Sequence, residues 1–219
     1  MEKGVVMGSI EQRFYAGGEH VVDKWLHYLP IYDRFFLPFR GQPVRMLEIG
    51  VGGGGSLDMW RDFFGPDATI FGIDINPKCS GRVNPPNQVR IGSQADATFL
   101  DEVLAELGRP DIVLDDGSHI GSHQIASFRH LFPQLPPGGL YLIEDLHTSY
   151  WDRFEGGYGK ANTGIGLVRS LIDDQHGWHH DHPANYVPAA EIGGIHMFDS
   201  IVVIEKADRV RPESRRIGG

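Results

Sequence analysis

The sequence predicts an α/β fold: a doubly wound, mostly parallel sheet of seven strands that ends in an antiparallel hairpin. Three observations lead there. From residue 44 onward, short apolar runs alternate with segments of helical period. The first run, at 46–49, passes directly into five glycines within six residues, Gly50 and Gly52, Gly53, Gly54 and Gly55, which reads as strand, tight turn and helix start. Near the C-terminus two apolar runs, 194–198 and 201–205, are separated only by Asp199 and Ser200, the spacing of a hairpin rather than of another crossover.

Bulk properties narrow the class. A chain of 219 residues can bury one substantial core. A formal net charge of −9 without a dense Lys/Arg block argues against nucleic acid or an anionic membrane as partner. No apolar run approaches the roughly 18 residues of a membrane span. The start, MEKGVVMGSIEQRF, lacks the apolar centre of a secretory signal, and the lone Cys79 excludes an intrachain disulfide, so a cytoplasmic protein is expected. Its 29 glycines are about twice what the roughly 7% average supplies, and several fall at strand ends, where loops carry sites.

In chain order, residues 1–43 form a leader. EHVVDKWLHY at 19–28, with Leu29, spaces Val22, Trp25, Leu26 and Leu29 as one helical face, and a second short helix is expected over 32–37. Such a pair can cover a sheet edge, or its polar side, Asp23, Lys24 and His27, can close over a cofactor. The main domain spans 44–206, with strands at 44–49, 69–73, 89–91, 111–114 and 139–143. Helices are expected over 57–64, 98–107 with Thr98 as N-cap, 121–128 with Ser118 or Ser122 as cap, and 166–173. An irregular, mobile insert at 148–190 and a charged tail at 207–219 complete the chain.

The chemistry gathers at the carboxyl ends of the strands, where open α/β sheets keep their ligands. Gly50 and Gly52 let the backbone approach a ligand closely. No lysine follows the glycines before Lys78, and Glu48 closes the strand, so the turn suits a ligand with a cationic part better than a diphosphate. Asp74 ends the second strand, placed for both hydroxyls of a ribose or for capping the turn with Asn76 and Pro77. Ser93, Gln94 and Asp96 follow the third strand, beside a bound base or as turn and capping residues. Two acidic pairs follow: Asp115 and Asp116 in DDGSH at 115–119, then Glu144 and Asp145 in IEDLH at 143–147. Asp116, Glu144 and Asp145 can converge on one point, and all-oxygen ligation suits Mg²⁺ or Mn²⁺; uncompensated surface acidity is the alternative. His147 can orient such a carboxylate.

Other signals are weaker. His119 and His123 have zinc spacing but no acidic residue between them to serve as base. Tyr150, Trp151, Phe154 and Tyr158 can stack on a sugar or pack on the sheet edge. His176, His179, His180 and His182 form either a zinc-binding tract or an exposed loop.

The glycine turn, with Glu48, Gly50, Gly52 and Gly54 in an E-x-G-x-G-x-G pattern and Asp74 beyond it, resembles the class I (Rossmann-like) S-adenosylmethionine-dependent methyltransferases, whose sheet also ends in an antiparallel hairpin. DDGSH with IEDLH is similar to the metal-dependent O-methyltransferases of macrolide sugars, and to the mycobacterial sugar O-methyltransferases of methylmannose polysaccharide synthesis. The resemblance runs from HVVDKWLHYLPIY at 20–32 through the hairpin. It implies S-adenosylmethionine (AdoMet) and Mg²⁺ as cofactors, a carbohydrate or sugar-bearing substrate with methylmannose polysaccharide biosynthesis as the expected role, and a homo-oligomer. It further implies Asp116, Glu144 and Asp145 as metal ligands and His119 as general base. Glu48, Gly50, Gly52, Asp74, Ser93, Gln94 and Asp96 would hold the cofactor, with Asp115 near its amino-acid or ribose part. Val22 stands where the family often has a threonine. Methylation of a phenolic, catechol or macrolide small molecule is the alternative; a NAD oxidoreductase and a non-catalytic sugar-binding protein are the remaining classes.

Overall fold

Alternate residues of each strand point to opposite faces of a sheet, so a strand buried on both faces reads as a continuous apolar run. The strands here are β1 (Arg45–Ile49), β2 (Thr69–Asp74), β3 (Gln88–Ile91), β4 (Ile112–Asp115), β5 (Leu140–Ile143), β6 (Ile192–Met197) and β7 (Val202–Lys206). In the computed structural model, which describes residues 9–218, they form one seven-stranded sheet in the order β3-β2-β1-β4-β5-β7-β6. The first five are parallel; β7 runs antiparallel beside β5, and β6 pairs with it as the outer hairpin strand. The strand order reverses between β1 and β4, and the crevice beyond their carboxyl ends is the expected ligand position. Residues 1–8 of the leader, which include most of the start read against a signal peptide, and Gly219 of the tail lie outside the described residues.

Helices α1 (Ile10–Ala16), α2 (Leu29–Phe36) and α3 (Gly55–Phe64) contribute to one buried cluster. In it Met46, Ile70, Leu114 and Leu142 meet Tyr32, Phe36, Trp60 and Phe63. Helices α4 (Ala97–Leu107), α5 (Gly121–Leu131) and α6 (Gly164–Gln175) cover the other face, packing on Leu47, Ile73, Val113 and Ile143. The leader, expected as a cover, is thus an integral part of the first core: Ile10, Tyr28, Leu29, Tyr32 and Phe36 are all buried in it.

The structure corrects several local expectations. No α-helix forms over 19–28: Val21 makes a parallel bridge to Gly54, a 3-10 turn covers Leu26–Tyr28, and α2 begins at Leu29 rather than at 32. The helical spacing misleads because its apolar residues do not share a buried face: Val22 packs on the core and Leu29 is buried, but Trp25 and Leu26 are 55% and 56% exposed, whereas the polar Lys24 is buried. Ion pairs of Lys24 and the backbone bridge to the glycine turn override local propensity. Helix α1, not foreseen, starts at a capping box formed by Ser9 and Gln12. Asp96, not Thr98, caps α4, accepting from the N–H groups of Thr98 and Phe99. Neither Ser118 nor Ser122 caps α5, whose N-cap residue Ile120 makes no side-chain bond; the Ser118 hydroxyl lies 3.0 Å from His123 Nδ1 instead. Helix α6 and β6 each begin two residues before the expected start, α6 with Thr163 as cap.

Candidate active site

The glycine turn lines a cavity of about 660 Å³ that is also walled by 21–26 of the leader, Asp74, Asp116, His119, Glu144 and Asp145. Gly50 has φ +93° because the chain there passes against the loop after β4. A Cβ at Gly50 would sit 2.1 Å from the Asp116 carbonyl oxygen, so only glycine lets the two loops meet. Asp74 reaches back under the turn: Oδ2 accepts from Val51 N (3.0 Å) and Gly52 N (3.1 Å), and Oδ1 from Asn76 N (2.8 Å). Burial works to raise the Asp74 pKa, but these backbone donors outweigh it and hold the carboxyl below its ordinary value. Asp74 thus braces its own turn, as the capping reading expects, and also lines the cavity.

Under the leader lies a cluster of buried charge. The Lys24 side chain is 2% exposed, and its Nζ lies 2.5 Å from Asp116 Oδ2, 3.0 and 3.2 Å from the two Glu144 oxygens, and 3.4 Å from Glu48 Oε1. Burial alone would depress the ammonium's pKa; the carboxylates of Asp116, Glu144 and Glu48 outweigh it and hold the pKa well above its usual value. Glu144 also accepts from Tyr32 OH at 2.5 Å; burial and then the Asp116 carboxylate push its pKa up to about 8. Glu48 accepts from Ser56 Oγ (2.8 Å) and Trp60 Nε1 (3.1 Å), and its pKa is raised, chiefly by burial.

Next to this cluster, ligand atoms of Asp116, His119 and Asp145 lie within 4.8 Å of one another; among the described residues this is the one such group of three. His119 has φ +57° and Asp145 φ +53°, left-handed conformations that non-glycine side chains rarely adopt and that concentrate at functional sites. His119 Nε2 is 3.7 Å from Asp145 Oδ2, and its Nδ1 is buried without a hydrogen-bond partner. Asp145 Oδ1 accepts from Trp25 Nε1 and from Tyr28 OH, both at 3.1 Å. The carboxylates of Asp116 and Asp145, with Glu144 alongside, make an oxygen donor set that fits a hard divalent cation, and the His119 imidazole stands next to it.

A second cavity of about 300 Å³ shares Gly50, Asp74 and Gly117 with the first. Ile49, Ile73, Ile75 and Ile120 give it apolar walls, and Ser93, Gln94, Ser118 and His123 give it polar edges, a lining suited to a flat heteroaromatic ring.

No protein-family profile matches the sequence. Among characterised proteins the chain is 42% identical over 203 residues to the 8-demethyl-8-(2-methoxy-alpha-L-rhamnosyl)-tetracenomycin-C 3'-O-methyltransferase of Streptomyces olivaceus, covering 85% of this chain and 52% of that protein. It is also 42% identical over 203 residues to the mycinamicin VI 2''-O-methyltransferase of Micromonospora griseorubida, covering 83% of this chain and 49% of that protein. A solved structure of MycE methyltransferase from the mycinamycin pathway, in complex with Mg, SAH and mycinamycin VI, superposes with TM-score 0.80 at 40% identity, covering 91% of this chain and 53% of that one. This chain is a homologue of the sugar O-methyltransferases. It spans about half the length of the curated relatives it matches.

In this methyltransferase homologue the residues singled out from sequence fall into four groups. Gly50, Gly52, Asp74, Asp116, His119, Glu144 and Asp145 meet at the larger cavity, and Ser93 and Gln94 line the smaller one. Glu48 and Asp115 are wholly buried beneath the floor. Asp115 accepts from Ser127 Oγ (2.6 Å) and from Gln94 Nε2 (3.0 and 3.1 Å), and burial raises its pKa against those donors. Asp96 lines neither cavity; its carboxylate is spent on capping α4. The histidine tract assembles no metal group: His176 and His180 bond the backbone carbonyls of Ile172 and Asp173. Trp151 and Phe154 lie near the acidic site, Trp151 packed edge-on to His147 at 4.8 Å and Phe154 edge-on to His119 at 6.1 Å, whereas Tyr158 is 94% exposed. Sequence reasoning missed Tyr28 and Tyr32 altogether. A signal was present, since two tyrosines four apart in an apolar helix place two hydroxyls on one buried face.

Proposed function

We propose that this chain carries the catalytic unit of an AdoMet- and Mg²⁺-dependent O-methyltransferase that methylates a hydroxyl of a sugar. The observation that carries the reading is the convergence of Asp116, His119 and Asp145 on the cavity lined by the glycine turn. Homology to enzymes named as O-methyltransferases of a rhamnosyl-tetracenomycin and of mycinamicin VI, and to a methyltransferase solved with Mg and SAH, supports it.

In this reading the glycine turn and Asp74 hold the methionyl and ribose parts of AdoMet, and the smaller cavity takes the adenine. Asp116, Glu144 and Asp145 hold the metal. A divalent ion at that position supplies Lewis acidity, lowering the pKa of a sugar hydroxyl and orienting it. His119 receives the hydroxyl proton at Nε2, the ring nitrogen that faces Asp145. Tyr28 and Trp25 fix Asp145 by their hydrogen bonds, and residues 21–26 exclude water from above. Trp25, about half exposed and lining the cavity, offers its ring to the C–H side of the acceptor sugar.

The names of the relatives favour a sugar borne on a macrolide or polyketide as acceptor. A methylmannose polysaccharide is the narrower alternative. Incubation of the purified chain with AdoMet, Mg²⁺ and each acceptor class tests both: a gain of one methylene in mass on a glycoside, abolished by EDTA, is expected. Transfer to catechols but not sugars, or full turnover after metal removal, would refute the proposal.

A further inference from the structure

The fully buried Lys24 is the feature that the proposed chemistry leaves without a task. It comes from an exposed strap, not from the sheet, yet its ammonium reaches the centre of a box made by Glu48, near the end of β1, and by Asp116 and Glu144, the first residues after β4 and β5. The strap is pinned at the cavity rim: Val21 bridges Gly54, and Gly55 N donates to Val21 O at 3.0 Å. A Cβ at Gly53 would lie 2.5 Å, and one at Gly55 2.6 Å, from the carbonyl oxygens of Val21 and His20, so the strap seats directly on the glycine turn. Lys24 therefore touches the acid that closes β1, Glu48, and two of the carboxylates expected to hold the metal.

We propose that Lys24 is a resident counter-cation that shares Asp116 and Glu144 with the divalent ion, setting the charge of the box so that it takes one such ion at moderate affinity. This rests on the metal-dependent reading above. Fully ionised, the three carboxylates of the box and Asp145 beside it leave three negative charges against the one ammonium, enough to attract one divalent cation, and without Lys24 the excess rises to four. Lys24 is thus a positioning residue for the metal site. It keeps the carboxylates together when the ion is absent, and its removal leaves a vacancy that a cation can fill.

The test is calorimetric binding of Mn²⁺ and thermal unfolding, with and without Mn²⁺, on the full chain without cofactor or acceptor. Lys24→Met should bind Mn²⁺ at least tenfold more tightly than wild type. Its Tm should fall in EDTA and recover in Mn²⁺ by more than the wild-type Tm rises. Adding Glu48→Gln to Lys24→Met removes one negative charge and should bring the Mn²⁺ affinity back toward the wild-type value. A purely structural lysine predicts loss of stability that Mn²⁺ does not restore and an affinity indifferent to Glu48→Gln; either result overturns the role of Lys24. Failure of both variants to fold even in Mn²⁺ overturns it equally, because the ion should substitute for the ammonium. Wild-type protein that binds no Mn²⁺ would instead refute the metal-dependent reading itself.

Discussion

Gly50→Ala, compared with Gly52→Ala, separates two demands that a glycine turn can make. Both positions have positive φ, +93° and +52°, so alanine at either costs roughly 1–2 kcal/mol for the left-handed backbone. Only Gly50 faces an obstacle. Its Cβ would lie 2.1 Å from the Asp116 carbonyl oxygen and 3.0 Å from Gly117 Cα, whereas nothing lies within 4 Å of a Cβ at Gly52. Ordinary contact requires the loop after β4 to retreat by roughly 1 Å, and overpacking of that kind adds about 1–3 kcal/mol. The retreat moves Asp116 away from Glu144 and Asp145, which follow β5. Chemical denaturation and Mn²⁺ calorimetry on the two variants check this. Gly52→Ala should lose about 1–2 kcal/mol with unchanged Mn²⁺ affinity, and Gly50→Ala about 2–5 kcal/mol with Mn²⁺ binding weakened at least tenfold. Equal Mn²⁺ affinity in both variants would refute the reasoning, because the two loops would then not be in mechanical contact.

Three further outcomes follow from the same geometry. The Glu144 pKa is raised from 4.5 to about 8, so between those values the folded, metal-free protein binds a proton that the unfolded chain has released; its stability should fall as pH rises through that window, by up to roughly 1.4 kcal/mol per pH unit, and Glu144→Gln should flatten the slope measured by denaturation in EDTA. Trp25→Phe keeps the ring but removes the 3.1 Å bond to Asp145, and should weaken Mn²⁺ binding by roughly three- to tenfold, read by calorimetry. His119→Ala should lower kcat by about 10²–10⁴ while Mn²⁺ affinity stays within a few-fold; loss of metal binding would make His119 a ligand instead of a base.

The sheet was legible because its central strands are apolar on both faces and end in glycines and acids that face one cavity: MLEIG, DDGSH and IEDLH each mark a carboxyl end. The convergence of Asp116 and Asp145 followed from that topology alone, since β4 and β5 are neighbours. The leader was misread because its organising force is not local. The Val22, Trp25, Leu26 spacing mimics a helix, but the backbone there is fixed by Lys24 meeting carboxylates 24, 92 and 120 residues away, contacts that no window of sequence displays. Asp96 and Asp115 were singled out because an acid after a strand is a strong prior for a ligand contact. One is spent on a helix cap, and the other anchors Gln94 and Ser127 below the cavity floor.

Transfer of labelled methyl from AdoMet to a sugar glycoside, with the metal removed and restored, tests the central claim most directly. The geometry of Asp116, His119, Glu144 and Asp145 around one cavity predicts product with Mg²⁺, none in EDTA, and recovery when Mg²⁺ is added back. Undiminished transfer in EDTA, or binding of AdoMet with no transfer to any sugar hydroxyl, would contradict it.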